Sequence, residues 1–129
     1  MQERFFILTP TPTADTMPHP IDGKMLPVYH DADGKPMLWT ADFPIPHIGS
    51  RVFVKMNGIG WAVVKGYFES CGFVGLMTLP LNPPAWLVKQ RQRDRKENQP
   101  KWAKEGIGCT FGIECSLSEP ARQLATVGV

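Results

Sequence analysis

Five basic side chains crowd into one short stretch of this chain: Lys89, Arg91, Arg93, Arg95 and Lys96. Guanidinium and ammonium groups at that density suit phosphate, arginine through paired hydrogen bonds and lysine through charge. From Trp86 to Glu105 there are seven bases against three acids, Asp94, Glu97 and Glu105, while the whole chain carries only +2. The total charge does not imply nucleic acid; the clustering does more. Asp94 and Glu97 interrupt the positive field, so a solvated connector or a dock for an acidic protein accounts for the same residues.

Three other groups can do chemistry. His30 stands beside Asp31 and near Asp33, a combination that can hold a metal ion. "DADG" also opens like a calcium loop, but the twelfth position is Asp42 rather than glutamate, and Pro36 breaks the pattern. A hairpin turn explains these residues more simply. Cys71 lies in a turn and can act as a nucleophile, but Glu69, the nearest charge, raises rather than lowers a thiol pKa. Cys71, Cys109 and Cys115 form no C-x-x-C pair, and an odd number cannot all pair within one chain. They read as reduced thiols of a cytoplasmic protein. The third group is aromatic: Trp61, Tyr67, Phe68, Phe73 and Trp86 can stack bases or grip a proline-rich peptide, or simply form the core. Trp39 and Trp102 have polar neighbours and are expected at the surface, as interaction residues together with Trp86. No hydrolase, phosphate-loop or zinc-protease motif is present. We therefore expect a non-enzymatic protein without metal or cofactor.

These residues need elements to hold them. All three histidines (His19, His30, His47) and eight of the thirteen prolines fall in the first fifty residues. "ERFFIL" reads as a short strand. "TPTPTADTMPHP" cannot be helix or central strand, because proline has no amide donor, and is expected as an extended surface loop. Met25–Tyr29 and Met37–Trp39 flank Asp31–Gly34 as a hairpin, placed at an edge by Pro27 and Pro36. "DFPIPHIGS" is a proline-set connector. "RVFVKM" alternates, with Val52, Val54 and Met56 on one face. Asn57-Gly58 turns the chain into "WAVVKGYFES", and Ser70-Cys71-Gly72 turns it again into "GFVGLMTL". In the middle strand, alternation puts Trp61, Val63 and Tyr67 on one face and Ala62, Val64 and Phe68 on the other. Gly66 and Gly75 mark bends or bulges inside strands. Pro83 and Pro84 begin a helix, with Asn82 as cap, that runs to about Asn98. Only Trp86, Leu87 and Val88 can anchor it, since Lys89 to Gln99 contains no apolar residue. "IGCTFGIECS" is a further strand with Cys109, Phe111, Ile113 and Cys115 inward. Ser118 is placed to cap a last short helix.

The stretch Arg51 to Trp86 resembles a small barrel of the Src-homology-3-like type. Its Asn-Gly turn after a basic strand, its "GYF" and its "NPPAW" junction are also similar to accessory proteins carried by bacterial plasmids and integrated elements. The resemblance implies a bent antiparallel barrel and carries no catalytic residues. The chain is thus read as a single domain, residues 1–129: a mainly β (α+β), small bent antiparallel barrel. It comprises a proline-rich region (1–50), a meander (51–79), one inserted basic helix (83–98) and a closing strand (107–116). The expected function is nucleic-acid binding, DNA or RNA, through the basic helix, extended onto the sheet if Arg51, Lys55 and Lys65 continue the positive surface. The alternative is a protein-interaction adaptor or inhibitor with an acidic or proline-binding partner. Nothing approaches a membrane-spanning length, and no signal peptide is visible.

Overall fold

Three sequence-adjacent strands joined by tight turns build the centre of the fold, and every other element is hung on them. A computed structural model describes residues 3–93 and 105–120. In chain order the strands are β1 (Arg4–Phe6), β2 (Thr11–Pro18), β3 (Met25–His30), β4 (Pro36–Leu38), β5 (Arg51–Val54), β6 (Gly60–Ser70), β7 (Phe73–Pro80), β8 (Gly108–Phe111) and β9 (Cys115–Ser116). One helix, α1 (Ala85–Arg93), and one 3-10 turn (Gly112–Glu114) complete the described residues. The strands form one curled, half-barrel sheet in the order β2-β3-β4-β7-β6-β5-β9, with β1 beside β6 and β8 beside β7.

The meander follows from its turn chemistry. Asn57 and Gly58 both have positive φ (57° and 71°), as do Cys71 and Gly72 (53° and 87°). A two-residue hairpin with both central residues left-handed matches the twist of the flanking strands. Cys71-Gly72 is such a turn, and Ser70 is directly opposite Phe73 across it. The first half of β6 pairs with β5 (Val52↔Ala62, Phe53↔Trp61) and the second half with β1 (Phe5↔Phe68, Phe6↔Tyr67). The sheet is not wholly antiparallel, because β4 meets β7 in parallel at Leu38↔Phe73.

A bulge changes which residues of β6 face inward. Val64 pairs with Thr78 and Gly66 with Met77, so Lys65 is the extra residue. Ala62, Val64 and Tyr67 consequently all enter the core. Simple alternation puts Tyr67 opposite Ala62 and Val64; the inserted residue flips every side chain beyond it.

The core holds Trp39, Met37, Val52, Val64, Tyr67, Val74 and Leu76, each fully buried. Trp39 is thus corrected from a surface residue to the largest buried one. Its indole N–H donates to the Phe43 carbonyl at 2.6 Å, and its ring meets Phe43 edge-on. Polar neighbours in sequence mislead here because the fold supplies both partners. The same logic fastens the proline connector: Ile45 donates its amide to Tyr29 Oη at 3.1 Å, and Tyr67 Oη donates to the Pro46 carbonyl at 2.7 Å. Pro44 and Pro46 have no amide, so Ile45 carries the one N–H between them that needs a partner.

Four further expectations are revised. The proline segment Thr9–Pro20 forms strand β2, exposed along the sheet edge, and β3 and β4 lie inside it rather than at the edge themselves. Met56 turns outward at the end of β5. The stretch 107–116 is two short strands split by the 3-10 turn. In it, Cys109 and Ile113 are exposed and Thr110, Gly112 and Cys115 are inward. The cause is the β7 pairing: Thr110 lies opposite Leu76, so its hydroxyl is placed to donate to the Leu76 carbonyl at 3.4 Å. Finally, the prediction that His30 lies in a loop is revised, since it ends strand β3.

Candidate nucleic-acid interface

The helix foot is planted beside the β5–β6 turn. Leu81 donates its amide to the Trp61 carbonyl at 2.9 Å, and the Trp86 indole N–H donates to the Asn57 carbonyl at 3.0 Å. The Pro84 carbonyl accepts from Leu87 and Val88, so Pro84 rather than Asn82 occupies the cap position. The expected anchor is thinner than its three residues suggested: Trp86 and Val88 are exposed, and Leu87 alone is half-buried. Lys89 and Gln90 are exposed. Arg91 and Arg93 belong to the last turn of α1. Arg95, Lys96 and Trp102 lie outside the described residues, as do the expected helix end at Asn98 and the short helix after Ser118.

The adjacent sheet adds bases from a second direction. Arg51, Lys55 and Lys65 are all exposed. Among the described residues the ion pairs involve Arg4, His19 and Lys35, and none of these three. Between them Phe53 and Trp61, both half-buried, pack edge to face with ring centres 5.5 Å apart. Phe53 is absent from the aromatic candidates read from sequence, although its alternation with Arg51 and Lys55 was the available signal.

A second feature escaped the sequence reading altogether. A cleft of about 310 Å³ is lined by Val54, Ile59, Thr78, Leu87, Thr110 and Glu114, among others. Thr78 and Thr110 share a hydroxyl–hydroxyl hydrogen bond of 3.1 Å there, and Glu114 Oε1 accepts from the Phe111 amide at 2.7 Å. Reading Cys109 and Phe111 as inward hid Thr110.

The other chemistry-bearing residues are structurally engaged. Asp31 Oδ1 accepts the amides of Asp33 and Lys35, which makes it the cap of the β3–β4 hairpin turn. Its Oδ2 accepts from Arg4 Nη2 at 2.9 Å, and Arg4 Nε donates to Glu69 Oε1 at 2.9 Å. Glu69 Oε2 in turn accepts the Gly72 amide, and Lys35 Nζ lies 3.5 Å from Oε1. This clasp ties β1 to two hairpin turns. Among the described residues no group of three His, Cys, Asp or Glu is placed to hold a metal ion. Burial pushes the Cys115 thiol up to about 11, helped by Glu114. Cys71 and Cys109 are exposed.

The clasp makes stability depend on acid. The Lys35 amide hydrogen bond leads in holding Asp31 below its ordinary 3.8, and it prevails over burial with help from Asp33 and Arg4. Burial pushes Glu69 up, but Arg4, the Gly72 amide and Lys35 together bring it below its ordinary 4.5. Both folded values lie below the unfolded ones, so the unfolded chain binds more protons through this window. The stabilisation is complete above about pH 5 and is lost as pH falls through the folded values. Arg4→Met should destabilise the protein by about 1–2 kcal/mol at pH 7. That is less than the 3–5 kcal/mol of a fully buried pair, because the guanidinium is 40% exposed and partly screened. Urea midpoints of wild type and variant measured from pH 7 to pH 3 should converge as the pH drops; a constant gap would show that the clasp does not titrate.

No helix of the described residues is long and apolar enough to cross a membrane. No protein-family model matches this chain, and neither a curated protein nor a solved structure matches it.

Proposed function

We propose that this protein is a non-enzymatic module that binds the nucleic-acid backbone. In this reading Lys89, Arg91, Arg93, Arg95 and Lys96 contact phosphates, and Arg51, Lys55 and Lys65 extend the contact over the sheet. The observation that carries this reading is the set of exposed sheet bases, outside every ion pair among the described residues, beside the planted foot of the helix. A cation that is not neutralised by its own domain keeps its field for a polyanion.

The test is a salt titration. Removing one phosphate-binding side chain should flatten the slope of log affinity against log salt by roughly 0.7–0.9. The double variant Lys55→Ala/Lys89→Ala should therefore lower the slope by about 1.4–1.8 and weaken binding evenly across sequences. Absence of binding to any labelled DNA or RNA at low salt would end the proposal. The runner-up is a protein-interaction adaptor, favoured by exposed apolar residues along the β2–β3 side, Met17, Ile21 and Met25. Such a partner would stay bound through nuclease treatment and moderate salt.

A further inference from the structure

We infer that the outward face of the β5–β6 hairpin is a stacking platform for single-stranded nucleic acid. Bases lie against Phe53 and Trp61, and phosphates against Arg51, Lys55 and Lys65. The inference rests on the backbone-binding reading above and adds which form of nucleic acid is held and by which rings.

The pleat supplies the first argument. Val52, Val54, Ala62 and Val64 are buried in the core, so their alternating neighbours Arg51, Phe53, Trp61 and Val63 point away from it. Register then fixes their order: Arg51 is opposite Val63 and Phe53 opposite Trp61. Lys55 follows Phe53 at the turn, and Lys65 is the extra residue of the bulge. Aromatic rings thus have cations on both sides. The distance from Arg51 to Lys55 along the strand is about 13 Å. None of these outward positions is an Asp or Glu.

Ring geometry supplies the second argument. Phe53 and Trp61 are half-buried and pack edge to face with ring centres 5.5 Å apart. Gly60 has φ 74°, and a Cβ there would sit 3.9 Å from Phe53 Cε2. Glycine therefore leaves that ring edge uncovered. Rings on a sheet surface engage the flat faces of bases, and those faces are available only when bases are unpaired; a duplex shows its base edges in grooves instead. Charge argues against a second copy of this chain as occupant, since two such faces would bring Arg51, Lys55 and Lys65 against their own like.

The experiment uses the full chain and three fluorescein-labelled probes of equal length, about twenty units, a span that covers typical single-strand sites. They are oligothymidine, a duplex, and an abasic deoxyribose-phosphate strand that keeps the charge and lacks the bases. Oligothymidine should bind about tenfold more tightly than the abasic strand, in line with the stacking of one or two bases, and more tightly than the duplex. Phe53→Leu and Trp61→Leu should each remove most of that advantage and leave abasic binding unchanged. The wild-type comparison needs no variant, so a poorly folded variant cannot obscure the result. Equal affinity for oligothymidine and the abasic strand, or tighter binding of the duplex, overturns the platform and leaves backbone binding standing. Failure of all three probes to bind overturns both.

Discussion

Trp39→Ala should cost about 3–5 kcal/mol of folding stability, the largest loss from any single truncation among the described residues. A typical domain has only about 5–15 kcal/mol to lose. Trp39 is the largest fully buried side chain, and its ring touches Phe43 and the space beside Gly112, where a Cβ would lie 2.9 Å from Trp39 Cη2. Truncation therefore opens a cavity bounded by backbone that cannot collapse into it. It also strips the part-buried Phe43 carbonyl of its donor, at a further cost. A companion variant separates the two contributions. Trp39→Phe keeps most of the apolar volume and loses the hydrogen bond, and should cost about 1–3 kcal/mol. Urea unfolding followed by far-ultraviolet circular dichroism reads both. A loss under about 1 kcal/mol for Trp39→Ala would mean that the indole is not enclosed as described.

Gly75→Ala should destabilise by about 3 kcal/mol, at the upper end of ordinary overpacking. The added methyl would run into Cε1 and Cζ of Phe68 and lie 2.8 Å from the Thr110 carbonyl oxygen. Phe68 cannot swing freely, because its ring packs edge to face on Phe111 at 5.1 Å. The carbonyl belongs to the β7–β8 ladder and moves only if the ladder does. Combining Gly75→Ala with Phe68→Leu should therefore be less damaging than the two separate costs added together, since the ring clash is relieved, while the Thr110 contact keeps recovery incomplete. Strict additivity would place the obstruction elsewhere.

These positions show what the sequence disclosed and what it concealed. The β5–β6–β7 meander was legible because its turns carry residues that tolerate positive φ, Asn57-Gly58 and Cys71-Gly72. The Asp31 turn was legible for a similar local reason. Gly66 and Gly75 do mark irregular places in their strands: one borders the bulge, and the other makes room for a ring. Trp39 was not legible as core, because its burial depends on Phe43 and Gly112, which are distant or unremarkable in sequence. The facing of Thr110 was hidden because hydrophobicity assigned Cys109 and Phe111 to the core, whereas hydroxyl pairing with Thr78 decided it. Half of the candidate site was visible as a run of bases. On the sheet, Arg51, Lys55 and Lys65 were readable as a possible extension and Trp61 as an aromatic candidate, but Phe53 was not, because strand register is what sets it beside Trp61.

The extra residue at Lys65 has a wider effect than the twist it adds. Strand β6 obeys one parity before it and the opposite parity after it, so the hairpin is a splice of two differently phased halves. Upstream, the odd positions carry the cationic and aromatic exterior; downstream, an odd position, Glu69, reaches inward to meet Arg4. Shortening the strand by that one residue would exchange the faces of Glu69 and Phe68, taking Glu69 away from Arg4 and Phe68 away from Phe111. The docking surface and the electrostatic fastening of the amino-terminal strand are therefore coupled by a single residue of chain length.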